Sequence, residues 1–287
     1  MATSTYAAYP SNSSDARFRA WGKALSDALA AVGLVKTDDV GQIDWATVTR
    51  PLSVTLSMGY EVWRFNDALH SSDPIFFRIS YGSGAATTSP CIWVTVGHAT
   101  DHAGNFIGMT SREFTIRCGG YRDANTYNCY ISSDGGRINI LLFANVGSGV
   151  SALVFSIERL KDTSGNPLAT GVNIITGDST ARYQQLLPAL GSPRAAMATY
   201  QCGAPPSGDG TYGTTVGVFP ILPNIGYAGN PDLGALCYFT ANIAGEITVV
   251  AQLYGTNHTY ITAGAMATGS TAIGGNTTDN SLAVRYE

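Results

Sequence analysis

Charge is what this sequence has least of. Its 287 residues carry 16 Lys and Arg against 20 Asp and Glu, so that 13% of the side chains are charged, about half of the roughly 25% found in an ordinary globular chain. With so few cations and a formal net charge of -4, no basic stripe is available for a phosphate backbone, and nucleic acid is not an expected partner. Long apolar runs are missing as well. The strongest, Ile138 to Val146, is interrupted by Asn139 and is far short of the ~20 residues of a membrane helix, so no membrane partner is expected either. The first fourteen residues, MATSTYAAYPSNSS, have neither a basic start nor an apolar centre, and no secretory signal is expected. Cysteine is sparse and odd in number. Cys91, Cys118, Cys129, Cys202 and Cys237 are widely spaced with no CxxC among them, which sets out neither a disulfide framework nor a zinc ribbon. In a reducing cytoplasm they behave as small buried hydrophobes. Cys118 and Cys129 are the one pair that could meet, across a hairpin around GGYRDANTYN.

Reactive constellations are equally scarce. No G-x-S-x-G elbow occurs, the Gly-Ser-Gly triplets at Gly82 to Gly84 and Gly147 to Gly149 are loop turns, and His70 and His258 have no nucleophile beside them. His98, Asp101 and His102 in GHATDHAGN are the residue types of a metal site, yet they share one Gly-rich loop and no distant ligand completes the set of three or four that zinc takes. Asp162 and Asn166 in KDTSGNP and Asp209 in SGDGT lack the dense alternation of oxygens of a calcium loop and read as turn formers. A polysaccharide depolymerase would need paired carboxylates in a cleft. Glu61, Asp67, Glu113 and Asp123 are singletons, expected on solvated surface. Asn257-His258-Thr259 and Asn276-Thr277-Thr278 match a glycosylation sequon, without consequence in a chain with no secretory route. The expectation is therefore no enzyme, no catalytic residue, no cofactor and no metal.

What the chain has in abundance is β signal. Ile75, Phe77, Ile79 and Tyr81 fall on one side of a period-2 strand, and Ile92, Val94 and Val96 repeat the pattern, specifying a sheet with one buried face. Further runs are Tyr60 to Phe65, Phe114 to Cys118, Tyr127 to Ser132, Ile138 to Phe143 and Ala152 to Arg159, joined by turn chemistry such as SDGG at Ser133 to Gly136 and NVGSG at Asn145 to Gly149. The second half continues through Val172 to Ile175, Ala196 to Cys202, Thr214 to Phe219, Leu236 to Ile243, Glu246 to Tyr254 and Leu282 to Tyr286. In GEITVVAQLYG, Ile247, Val249, Ala251 and Leu253 alternate with Thr248, Val250, Gln252 and Tyr254, a sheet with one face partly polar. Many short strands with Gly-rich connections, in a chain with 33 Gly, predict a mainly β fold, an antiparallel β-sandwich of jelly-roll type.

One helix is predicted. Ser13 or Ser14 caps a stretch in which Phe18, Trp21, Leu25, Ala28, Leu29 and Val32 recur at spacings of three and four, and Gly33 stops it. Its stripe must cover the sheet of its own subunit, the preferred reading, or a groove on a neighbour. Residues 1–50 are thus an N-terminal helical arm and connector, the latter marked by Gly41 and ended at Pro51, and 51–287 a β-sandwich domain with a possible subdivision near 171–205. Two places interrupt the strand pattern: Leu186 to Ser192, and the prolines Pro205, Pro206, Pro220, Pro223 and Pro231, which can hold neither long helices nor central strands. The small polar tail Ala265 to Asn280 is expected to be mobile unless a neighbour orders it. Trp45, Trp63 and Trp93 are expected in or near the core. Tyr121, Tyr127, Tyr130, Tyr212, Tyr227, Tyr254 and Tyr260, near turns and strand ends, are expected at subunit contacts, with a host glycan as the other possible partner.

The stretch GYEVWRFNDALHSSDPIFFRISYGSGAATTSPCIWVTVGHATDHAGNFIG, with FRAWGKALSDALAAVGLV and GQIDWATVTRP before it and RINILLFANVGSGVSALVFSIERLKDTSGNP after it, resembles a family of virion structural proteins of tailed bacteriophages. The resemblance covers roughly the first 170 residues, the scale of one domain. It implies a structural, non-enzymatic role in the virion, in the tail, collar or tail-tip apparatus, with assembly in the bacterial host cytoplasm. The expected partners are other virion proteins and further copies of the same chain. A capsid-decorating protein and a carbohydrate-binding receptor module of a tail fibre are the alternatives.

Overall fold

Alternation of apolar with polar residues gives this chain its many strands, and one stretch has the spacing of a helix. A computed structural model describes residues 1–8, 11–108, 110–117, 127–146, 149–162, 164–177, 182–187, 197–198, 210–212, 216–220, 236–239, 246–253, 256–265 and 281–287. The helix α1 spans Asp15–Ala31. Ser14, in extended conformation, accepts the amide of Arg17 at 3.3 Å as N-cap, and Asp15 adds a negative charge in the first turn. Gly33, at φ 88°, ends it.

The strands are β1 (Ala2–Ala8), β2 (Val35–Lys36), β3 (Ser57–Arg64), β4 (Phe76–Ser83), β5 (Pro90–Gly97), β6 (Phe114–Arg117), β7 (Tyr127–Ser133), β8 (Arg137–Val146), β9 (Gly149–Lys161), β10 (Pro167–Gly177), β11 (Arg182–Leu187), β12 (Met197–Ala198), β13 (Gly210–Tyr212), β14 (Val216–Pro220), β15 (Leu236–Phe239), β16 (Thr248–Leu253), β17 (Thr256–Ala265) and β18 (Ser281–Arg285). Among the described residues they form a five-stranded sheet in the order β2-β3-β4-β5-β6, a seven-stranded sheet β1-β7-β8-β9-β10-β11-β12 and a closed barrel β13-β14-β15-β18-β17-β16. The fold is mainly β and antiparallel, with its helix near the N-terminus, as the sequence pattern predicts. Closure of six strands into a barrel leaves no free edge in that sheet.

The chain divides into two compact units, Ala2–Ile131 with Leu142–Ser151, and Met1 and Ser132–Leu141 with Ala152–Glu287. In the first, the stripe Phe18, Trp21, Leu25 and Leu29 is buried to within 3% exposure, as are Phe77, Ile79 and Tyr81 of β4. Trp21 meets the Tyr81 ring edge-on at 6.0 Å, and the Trp45 ring lies between Phe18 at 5.8 Å and Tyr81 at 4.8 Å. The helix therefore covers the sheet of its own subunit. The other face of the sheet is covered as well, contrary to the single buried face read from the alternation: Cys91 and Trp93, opposite in phase to Ile92 and Val94, are also buried. Around Tyr60, Val62 and Arg78 of that face the cover is formed by the loops 37–43 and 98–106, joined to them through Val40, Gln42, Ala103 and Gly104; they are polar in composition and carry no periodic signal.

In the second unit, the wholly buried Asn139 on β8 donates to the Arg285 carbonyl at 3.3 Å and accepts from the Ser156 hydroxyl at 2.8 Å, while the Ser132 hydroxyl donates to the same carbonyl at 2.8 Å. Arg159, 2% exposed, donates to the carbonyls of Leu168 and Ala169 at 3.0 and 2.9 Å. Arg159 thereby satisfies carbonyls in the register shift between Pro167 and Val172, where ladder pairing is interrupted.

Several expectations need correction. Leu186 and Leu187, assigned to the first interruption, belong to β11, pairing with Asn173 and Val172. Pro220 closes β14 opposite Cys237, a strand end where its missing N–H is tolerated. β10 starts at Pro167, across a register shift before Val172, and β1, β2, β13 and β17 had no counterpart among the predicted runs. In β16 the alternation holds, with Val249 and Ala251 buried and Val250 59% exposed, whereas Ile247, assigned to the same face as Val249, precedes the strand and is exposed. Residues 188–196, Pro205, Pro206, Pro223, Pro231 and 266–280 lie outside the described residues.

A Cβ built on Gly22 would overlap the six-membered ring of Trp45. Alanine there adds about 1 kcal/mol of helix propensity but forces the ring out of its slot, an overpacking that costs about 1–3 kcal/mol. Gly22→Ala is expected to lower the melting temperature, and Trp21→Ala to cost about 3–5 kcal/mol. A Gly22→Ala protein as stable as the parent in a thermal melt would contradict this packing.

Candidate functional site

Glu61 follows from its neighbours. On β3 it shares a face with Trp63 two residues on, so the strand that buries the indole must bury the carboxylate. Glu61 is 0% exposed, not the solvated singleton its isolation suggests. Five donors from five segments close on it. Oε1 accepts from the Ser26 hydroxyl of α1 at 2.8 Å, Lys36 Nζ of β2 at 2.7 Å and Trp45 Nε1 of the connector at 3.0 Å. Oε2 accepts from the Tyr81 hydroxyl of β4 at 2.7 Å and, at 3.4 Å, from Trp63 Nε1. A buried carboxylate is tolerated only when it is paired and its lone pairs are filled. This one is, which leaves no room for a substrate to approach it. The site is structural, and the sequence signal that would have found it is the shared face with Trp63.

The loop candidates are scattered by the fold. Asp101 turns inward on its own loop, accepting the amides of Ala103 at 2.8 Å and Asn105 at 3.0 Å and the Asn105 side-chain amide at 2.8 Å. Asp162 repeats this geometry with Ser164 and Asn166 at 2.8 and 2.9 Å, and with the Asn166 side chain at 3.0 Å. The two segments, DHAGN and DTSGN, are one turn used twice, with Gly104 at φ 80° and Gly165 at φ 85° supplying the left-handed position. Hydrogen bonds to the paired asparagine, then to backbone amides, hold both carboxyls below the ordinary aspartate value. These carboxylates are engaged in turn formation. His102 instead faces Asp38, Nδ1 to Oδ1 3.8 Å, with both side chains mostly in solvent. Among the described residues no group of three or more His, Cys, Asp and Glu comes together.

Other candidates separate likewise. His70 Nδ1 lies 2.7 Å from the Asp67 carbonyl in a turn whose Leu69 amide Asp67 caps. His258 sits on β17, its ring edge-on to Tyr260 at 6.3 Å. Tyr260 is fully buried and is core rather than contact surface, because its strand position faces inward. Glu113 is exposed. Trp63 and Trp93 are buried, and Trp45 is half-buried with its ring filled on both sides. Cys91 and Cys129 are buried free thiols; burial pushes the Cys129 thiol up, opposed by a hydrogen bond from Tyr6. Cys118, Tyr121, Asp123, Asp209, Tyr227 and Tyr254 lie outside the described residues, as do Cys202 and Asn276 to Thr278. No helix among the described residues is long and apolar enough to cross a membrane.

One concavity in this unit opens to solvent, with charged and hydroxyl-bearing residues around a largely apolar surface. A cleft of about 360 Å³ is lined by Val35, Lys36, Thr37, Asp38, Asp39, Arg64, Phe76, Thr100 and His102. Its shape comes from the ends of β2, β3 and β4, where the connector and the 98–107 loop approach one another. Gln42 holds the connector by donating to the carbonyls of Thr37 at 2.7 Å and Asp39 at 3.1 Å, and Asp39 accepts the Gly104 amide at 3.0 Å. Tyr60 clasps both segments through its hydroxyl, 2.6 Å from the Val40 carbonyl and 2.8 Å from that of Ala103. Partial burial pushes the phenol of Tyr60 up, with the Arg78 cation, 4.3 Å above its ring, pulling the other way.

No protein-family model matches the chain, and no curated protein matches it.

Glu61→Ala leaves buried donors facing a cavity and is expected to cost about 3–5 kcal/mol in urea unfolding; a loss under about 1 kcal/mol would mean that the hub does not hold the unit. The lowered pKa values of Asp101 and Asp162 stabilise their turns above the unfolded value, 3.8, and that contribution is lost as pH falls through the folded values. The side-chain amide resonances of Asn105 and Asn166 should therefore shift with midpoints below 3.8, and midpoints at or above it would contradict the turn geometry.

Proposed function

We propose that this chain is a non-enzymatic structural component of a tailed-phage virion, in its tail, collar or tail-tip apparatus, and that it works through contacts between subunits. The observation that carries the contact role is a short exposed apolar ridge. Leu52, Val54 and Leu56 are 75%, 53% and 37% exposed in a segment fixed to the sheet: the Thr55 amide donates to the Gly84 carbonyl at 3.0 Å, the Ser83 amide to the Leu56 carbonyl at 3.1 Å, and the Ser83 hydroxyl to the Ser53 carbonyl. Gly82 is needed there, since a Cβ would overlap the Leu56 carbonyl. A rigid segment presenting three apolar side chains loses little entropy on association. The virion placement is supported by the resemblance of the first 170 or so residues.

Partners are other virion proteins and further copies of the chain. With 36 charged side chains in all, association draws on apolar area and neutral hydrogen bonds rather than on ion pairs, which salt screens over ~8 Å. Sedimentation of the purified protein should show a discrete homo-oligomer that persists in molar sodium chloride. Changing Leu52, Val54 and Leu56 together to Asp should give a monomer whose melting temperature is close to the parent's, because exposed positions contribute little to folding. Dissociation of the parent in high salt, or an unchanged oligomer in the triple variant, would contradict the reading. Gold labelling of the protein in virions, imaged by electron microscopy, should mark the tail; label spread over the shell would sink the tail placement.

A further inference from the structure

We infer that the cleft beside β2 is a binding site for a small carboxylate-bearing, hydroxylated ligand, a sugar acid, with Arg64 as its anchor. The argument starts from the sheet register. Val35, Arg64 and Phe76 are lateral partners on β2, β3 and β4, so they stand side by side on one face and form the floor of the cleft. The centre of that floor is a guanidinium. Its Nε is shielded from solvent and reaches no hydrogen-bond acceptor, and Arg64 takes part in no ion pair among the described residues. Protein closes around Nε, so the terminal nitrogens are the part of this guanidinium that a ligand in the cleft can meet.

The geometry selects the kind of anion. The two terminal nitrogens of a guanidinium form a fork that matches the two oxygens of a carboxylate. Asp38 and Asp39 line the same cleft, so a dianionic phosphate would meet two like charges, whereas a monoanionic carboxylate meets Arg64 and leaves those acceptors for hydroxyl groups. The acceptors differ in readiness. Asp39 is already engaged by the Thr37 hydroxyl and the Gly104 amide. Asp38 is 93% exposed and faces His102. Lys36 lines the wall, but its charge is committed to Glu61, which leaves Arg64 as the cation free for a ligand. On the floor, Val35 and Phe76 are partly exposed on either side of it, offering apolar surface to the carbon face of a sugar ring. Thr100 and His102 provide further hydrogen-bonding groups on the opposite wall. A volume of about 360 Å³ lies at the lower end of the roughly 300–1,000 Å³ of small-molecule sites, room for one monosaccharide-sized group.

This site does not depend on where the protein sits in a particle. Titration of the intact protein with glucuronate, followed by NMR of the Thr100 and His102 amides or by calorimetry, tests it, with glucose, acetate and inorganic phosphate as comparison probes. Glucuronate is expected to bind, and to bind better than any of the other three. Arg64→Gln should weaken glucuronate by about tenfold or more, the loss of a charge-assisted pair, while leaving the weak glucose response unchanged. Should Arg64→Gln fail to fold, Asp38→Asn decides, since its side chain stands in solvent: it should bring glucuronate down toward acetate while acetate itself stays as it was. Equal binding of acetate and glucuronate, tighter binding of phosphate or glucose, no response to any probe, or an Asp38→Asn protein that still prefers glucuronate would each overturn the assignment.

Discussion

Everything in the N-terminal unit is arranged around the need to keep one buried carboxylate satisfied. Glu61 sits on a strand face that also carries Trp63, and the helix, β2, the connector and β4 each send it a donor. A carboxylate in a dry interior tolerates no missing partner, so each of these segments is fixed to the sheet by the same group. The aromatic layer then follows. Trp45 reaches Glu61 only by lying flat over Gly22, and in that position it fills the space between Phe18 and Tyr81. Apolar packing supplies the bulk of the stabilisation and is indifferent to direction; the polar hub supplies the register that tells the helix where on the sheet to sit.

A chain with so little charge must treat its polar groups economically, and the two units solve the problem in similar ways. Asn139 with Ser132 and Ser156, and Arg159 with the carbonyls of Leu168 and Ala169, close backbone groups from within. The turns at Asp101 and Asp162 consume their own carboxylates. What remains at the surface is therefore informative by contrast. The ridge of Leu52, Val54 and Leu56 is apolar and exposed, and Arg64 is a cation that forms no ion pair among the described residues, each in a segment held by surrounding hydrogen bonds. The first supports assembly and the second supports recognition of a small anion, and neither needs the other.

The sequence made the helix, its cap and its buried stripe legible, because a 3.6-residue period over seventeen positions with Ser14 before it and Gly33 after it admits few alternatives. The inward residues of β4 and β5 were legible for the same reason at period 2. Covering of the second face was not, since the loops that do it carry no pattern. The short strands β2 and β13 are too brief to register as alternation, and closure of the last six strands into a barrel is a matter of which edges meet, on which local pattern is silent. Glu61 and Arg64 were misjudged or passed over one at a time. Their roles arise from lateral neighbours on other strands, Val35 and Phe76 for Arg64 and donors from four other segments for Glu61, and such juxtapositions exist only once register is fixed.

Because the hub joins α1 to its own sheet, the helix should open only when the sheet does. Hydrogen exchange of the isolated protein, read at the amides of α1 and of β3 and β4, measures this directly. The account predicts that the central turns of α1, around Leu25 and Leu29, exchange with the same opening free energy as Val62 and Ile79. Helix amides that exchange orders of magnitude faster than those strands, and become protected only when the protein assembles, would show that the helix belongs to a neighbour's fold and would contradict it.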